Sequence, residues 1–223
     1  LTDDTFEPVV IQINGKKKVT TRSKNQSIYV EAIRNNQVTI GAGVAGTGKT
    51  FLAVAVALEK LHSEEVEKII ITRPMVEAGE SMGTLPGTIE ERSSQGLQVL
   101  HHTFELLLGI DKFKTYVKAG TISHLPLTFA RGHSIYDFLI CDEAQNMTKT
   151  QMKLLLTRIG GSRSKFVING DDDQVDLRPK TNSGLRDSIQ RVGNIDGIAV
   201  VELGVEDVQR SKIVREIIKA YDD

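Results

Sequence analysis

Gly43-Val44-Ala45-Gly46-Thr47-Gly48-Lys49-Thr50 decides the reading of this chain, and its flanks decide what the octet means. Before it, Val38-Thr39-Ile40 is a short apolar run rich in β-branched residues. After it, Phe51-Leu52-Ala53-Val54-Ala55-Val56-Ala57-Leu58 has the make-up of a buried helix. The octet fits G-x-x-x-x-G-K-[ST] and so sits at a strand-to-helix turn. Its glycines let backbone N–H groups converge on phosphate oxygens, and the helix N-terminus adds partial positive charge. In this reading Lys49 reaches the β- and γ-phosphates of ATP, and Thr50 offers its hydroxyl to Mg²⁺. A merely flexible glycine-rich turn has no need of Gly, Lys and Thr at three fixed places.

Outward from the octet, apolar runs recur at 37–41, 68–72, 137–141, 165–169 and 198–202, with helical patterns between most of them. Short buried-type strands alternating with helices predict a parallel sheet covered on both faces. A further strand is expected at 121–127, and a helix from about 89 to 108. Near the start, Val9 to Ile13, Asn14-Gly15 and Lys16 to Thr20 read as a β-hairpin closed by a tight primed turn. A polar linker follows, with a helix starting near Gln26. The expected organisation is a hairpin and linker over 1–24 and one α/β domain over 25–223.

Phe138-Leu139-Ile140-Cys141-Asp142-Glu143 is a buried strand that ends in two carboxylates. Adjacent acids fit an apolar strand only where they emerge at its C-terminal edge, the edge at which α/β sheets bind ligands. Asp142 then holds Mg²⁺ and Glu143 orients or deprotonates the attacking water. A solvated acidic turn is the plain alternative, outweighed by the phosphate loop in the same chain. Phe166-Val167-Ile168-Asn169-Gly170-Asp171 runs into a loop bearing Gln174, an amide placed to sense the γ-phosphate. That loop is rich in Asp but lacks the spacing of an EF-hand calcium site.

The 223 residues carry 28 Lys plus Arg against 29 Asp plus Glu, a net charge of −1, so no global basic field exists to hold nucleic acid. Trp is absent and aromatics are 5%, which disfavours base reading by stacking. The single cysteine, Cys141, excludes an internal disulfide and reads as a small apolar filler. No apolar run approaches the roughly 18 residues of a membrane span, and the expected location is cytoplasmic. His101-His102 reads as solvated or packed histidines rather than a metal pair, since neighbours on a helix point about 100° apart and do not comfortably share one ion.

With these blocks assembled, the chain resembles the PhoH-like family of phosphate-starvation-inducible P-loop ATPases, related to superfamily 1 helicases. The resemblance runs from about Asn25 to Tyr221. It rests on Asn25-Gln26, the Gly43–Thr50 octet, Thr72-Arg73-Pro74, Leu85-Pro86-Gly87, Ala130-Arg131-Gly132, Asp142-Glu143-Ala144-Gln145-Asn146, Gly170-Asp171 with Gln174, and Asp207-Val208 with Arg210. It implies a P-loop NTPase fold with a RecA-like parallel sheet, ATP and Mg²⁺ as cofactors, and helicase-like action on RNA or single-stranded DNA. It further implies that Gln26 reads the adenine edge and that Gln174 couples the γ-phosphate to movement.

Arg73, Lys149 and Lys153 are the candidate nucleic-acid contacts, with an ion pair from Arg73 to Glu77 or Glu80 as the structural alternative. Because superfamily 1 helicases complete their ATP site with a second core, a single core is expected to borrow an arginine from a neighbour. A head-to-tail homo-oligomer, a hexameric ring, follows from that expectation, with Arg131 or Arg210 as the donated group. The competing function is an ATP-dependent assembly module without strand translocation. A small-molecule kinase fits less well, because adjacent Asp and Glu favour attack by water.

Overall fold

The computed structural model describes residues 6–74, 97–171, 174–175 and 183–209. Ser23 starts the first helix, α1 (Lys24–Asn35), by accepting the Gln26 N–H on its hydroxyl. Next come strand β3 (Val38–Gly43), helix α2 (Lys49–His62) and strand β4 (Ile69–Thr72). Helices α3 (Gln98–Leu108) and α4 (Ile110–Lys118) lead into β5 (Ile122–His124) and β6 (Phe138–Cys141). Helix α5 (Lys149–Leu156), β7 (Lys165–Gly170), α6 (Gly184–Val192) and β8 (Ile198–Leu203) complete the described order. The six strands from β3 to β8 form one sheet in the order β5-β4-β6-β7-β3-β8, and every neighbouring pair is parallel. Ile40 in β3 lies opposite Ile168 of β7 and Val200 of β8, so the strand before the phosphate loop is interior.

Strand alternation divides the core. Phe138, Ile140, Val167 and Ile71 face α1 to α4, whereas Leu139, Cys141, Phe166 and Ile168 face α5 and α6. Helix α2 is buried on every side from Leu52 to Leu58, because α1, α3 and the N-terminal hairpin close over it. The expected covered parallel sheet is therefore present, and Cys141 is the small buried filler of β6.

The hairpin pairs β1 (Val10–Gln12) with β2 (Lys18–Thr20) antiparallel, but its turn differs from the expected primed type. Neither Asn14 nor Gly15 has a positive φ. Instead the Asn14 side chain accepts the N–H groups of Lys16 and Lys17, each at 2.9 Å, and a longer loop results. Ile11 and Ile13 are buried in the α1–α4 core, and the Gln12 N–H donates to Glu59 of α2. The strand expected at 121–127 is confined to Ile122–His124, as Pro126 leads directly into a short 3₁₀ turn at Leu127–Ala130. The expected helix of 89–108 is described only as α3, and Gly109, at φ 85°, separates it from an unanticipated α4. Among the described residues no helix is long and apolar enough to cross a membrane.

Candidate active site

Strands β3, β4, β6 and β7 end at one sheet edge, and the phosphate loop, Arg73, the acid pair and Asp171 leave those ends together. They line a cleft of about 390 Å³. Gly43 is demanded at the head of the loop: its φ is 127°, and a Cβ there would come 2.0 Å from the Leu203 carbonyl of β8. Gly48, at φ 90°, takes the cap position of α2, so the helix N-terminus opens into the cleft.

Lys49 folds back on its own loop, its ammonium donating to the Gly43 carbonyl at 2.6 Å and the Val44 carbonyl at 2.8 Å. Desolvation lowers its pKa, while Asp171, Asp142 and Glu143 oppose that shift. Thr50 donates its hydroxyl to Asp142 Oδ1 at 3.0 Å. A hydroxyl beside one carboxylate is a hard-oxygen pair that suits Mg²⁺, which takes few protein ligands and completes its shell with water and phosphate oxygens. Burial raises the Asp142 pKa, and the neighbouring Glu143 charge raises it further.

Glu143 stands in the left-handed region at φ 59°, an uncommon conformation for a long side chain. Gln145, 1% exposed, holds it there by donating Nε2 to Glu143 Oε2 at 2.7 Å. The same amide reaches the Gln174 carbonyl, and its Oε1 accepts the Asp171 N–H at 3.0 Å. Asp171 in turn accepts the Ala45 N–H of the phosphate loop at 3.0 Å. Sequence reasoning misses Gln145 and Asp171 as site residues, although both lie in motifs it singles out. Their signal is only an amide next to the acid pair and a carboxylate shortly before Gln174.

The remaining expectations divide. Gln174 lines the cleft beside the acid pair and the phosphate loop. The Gln26 amide is committed to backbone, accepting the Arg22 N–H and donating to the Thr47 carbonyl, each at 2.8 Å. In this conformation it braces the phosphate loop instead of turning to a base. Arg73 is not grouped with Lys149 and Lys153: it lines the ATP-side cleft, with a guanidinium nitrogen 3.6 Å from Glu143. Lys149 pairs with Asp187 at 3.2 Å, and Lys153 shares a separate groove along α5 with Arg131 and Arg158. Arg210, Glu77 and Glu80 lie outside the described residues.

Sequence reasoning misses a second anchor. Asp207, 1% exposed, accepts from the Ser23 hydroxyl at 2.5 Å and from Asn25 Nδ2 and the Gly204 N–H, each at 2.9 Å. Two residues on, the Gln209 N–H donates to the Gly46 carbonyl of the phosphate loop at 3.1 Å. The segment after β8 and the start of α1 thus clamp the loop from behind.

A covered parallel sheet with a phosphate loop after an interior strand, and an acid pair at the end of the strand next but one, defines a P-loop NTPase. The large terminase of a thermophilic bacteriophage shares this fold with a TM-score of 0.53 at 11% identity, over 88% of this chain and 49% of that one. The sequence profile described as PhoH-like protein matches residues 18–222, and the chain belongs to that family. It is 42% identical over 218 residues to the PhoH-like protein of Bacillus subtilis, covering 97% of this chain and 68% of that protein. With Escherichia coli K12 Protein PhoH it shares 34% over 207 residues, covering 91% of this chain and 58% of that protein. The chain thus spans only part of the length of these relatives.

Proposed function

We propose that the chain is a Mg²⁺-dependent ATPase that couples hydrolysis to single-stranded nucleic acid, RNA or DNA. The observation that carries the ATPase reading is the meeting of Lys49, the Thr50–Asp142 pair, Glu143 and Gln174 in one cleft. When ATP arrives, its β- and γ-phosphates take over the Lys49 ammonium from the loop carbonyls of Gly43 and Val44. Thr50 and Asp142 would hold Mg²⁺, which would supply positive charge to the phosphates when bound. Glu143 accepts a proton from the attacking water, and Gln145 fixes the carboxylate for that task. Gln174, tied to Gln145 through its own carbonyl, passes the state of the γ-phosphate to the loop after β7.

Lys49→Ala is expected to lose nucleotide binding. Glu143→Gln is expected to bind ATP and lose hydrolysis by about 10²- to 10⁴-fold, since general-base assistance is removed and the loop is kept. Wild-type turnover by Glu143→Gln in a phosphate-release assay would remove Glu143 from its role. The coupling to nucleic acid is tested by adding single-stranded RNA or DNA to the same assay. Turnover that rises with the strand, and strand binding that weakens steeply with salt, support the reading. Turnover indifferent to both strands favours the assembly module.

A further inference from the structure

We infer that Arg73 is the arginine this chain supplies to its own γ-phosphate, so that the ATP site carries its transition-state cation in cis. The inference rests on the ATPase reading of the cleft. Thr72 is the last residue of β4 and pairs in register with Cys141 of β6, so Arg73 emerges beside Asp142 and Glu143. Its side chain and that of Glu143 are about a third exposed, at 30% and 34%, and the pair is 3.6 Å apart. An ion pair that long and that wet contributes little to stability, so it is not what fixes Arg73 at this edge of the sheet.

Charge gives the reason for exchange. Among the described residues that line the cleft, the cations are Lys49 and Arg73, and they face three carboxylates, Asp142, Glu143 and Asp171. A triphosphate adds more negative charge, and in the transition state that charge spreads over the γ-phosphoryl oxygens. Lys49 goes to the β- and γ-phosphates from the loop side, and its single charge does not match theirs. Arg73 is the second cation of that cleft, lining it together with Glu143 and the phosphate loop that would seat the triphosphate. Its guanidinium lies 3.6 Å from Glu143, and on the γ-phosphate it stands beside the carboxylate that takes the proton of the attacking water. The balance is that of ATP hydrolysis: the water oxygen bonds to the γ-phosphorus, the bond to the β–γ bridging oxygen breaks, and ADP leaves with that electron pair. The water's proton goes to Glu143, while Arg73 neither gains nor loses one.

The test uses the full chain without nucleic acid. Arg73→Ala is expected to lower kcat by about a hundredfold or more with KM within about threefold, because a transition-state contact is lost. Arg73→Lys is expected to recover part of kcat, which a folding defect would not permit. Affinity for ADP with aluminium fluoride should fall at least about tenfold in Arg73→Ala while affinity for ADP alone is kept. Mixing Arg73→Ala with Lys49→Ala should restore nothing, since neither protein then holds both groups in one cleft. Recovery on mixing overturns the assignment in cis, and equal fluoride-complex affinity in wild type and Arg73→Ala overturns the assignment altogether. Failure of wild type to bind ADP would instead remove the ATPase reading on which the assignment stands.

Discussion

At the scale of single residues, the site is built from groups the fold holds in unfavourable states. Asp142 is a carboxylate removed from water beside another carboxylate, and its pKa is raised as a result. The sign of the consequence follows. A folded-state pKa above the unfolded value means the folded chain binds this proton more tightly, so the group favours folding at low pH and opposes it once ionised. Asp142→Asn keeps an oxygen for the Thr50 hydroxyl and deletes the charge. Without nucleotide it should melt higher than wild type at pH 7, with the difference shrinking as pH falls toward the carboxylate range. The same variant should lose Mg²⁺-dependent ATP binding, readable by calorimetry. A lower melting temperature at pH 7 would show that the Asp142 charge supports the fold.

Among the elements, β3, β6 and β7 are legible in the sequence because each is a run of apolar residues broken by chemistry at its C-terminal end. Gly43, Asp142 and Asp171 mark those breaks. What the sequence hides is pairing at long range. Asp207 and Ser23 are 184 residues apart and meet only because β8 lies beside β3. The role of Arg73 is hidden for the same reason, since its Glu143 partner is a neighbour only through the β4–β6 ladder. The hairpin turn defeats the reading at shorter range, where the Asn14 side chain offers two N–H groups a better acceptor than a primed turn would. The clamp formed by Asp207 leads to a prediction of its own. Asp207→Ala strands the three donors it now accepts from, each costing about 1–3 kcal/mol if left without water. Melting temperature should drop by several degrees and ATP affinity by about tenfold, with kcat at saturating ATP within about twofold, as Asp207 braces the loop and touches no phosphate. Unchanged affinity would mean that the loop holds its shape unaided.

For the whole molecule, the placement of Arg131 is the fact that bears on assembly. It stands in the α5 groove with Lys153 and Arg158, outside its own ATP cleft. A head-to-tail neighbour could bring it to a second cleft, adding to the cation that Arg73 supplies in cis. The expected outcome is a ring, seen as a multiple of the subunit mass in light scattering with ATP. Mixing Arg131→Ala with Lys49→Ala should then return part of the lost turnover, because some interfaces join an intact loop to an intact Arg131. A monomer with full activity at every concentration would end the ring proposal.

The order of strands also sets a clock. β3, which carries the phosphate loop, lies between β7 and β8, and Val38 finds its partners at Phe166 and Ile198. Ribosomes add about 5–20 residues per second, so the loop's strand waits on the order of ten seconds or more for its last neighbour to be made. Both its edges are open until β7 is made and one until β8 follows, and Val38 and Ile40 are buried only in the finished sheet. Contacts so distant along the chain also make folding slow once all the strands exist. The strand that carries the nucleotide loop is therefore complete in its sheet only after residue 203 has been made, about 160 residues after the loop itself.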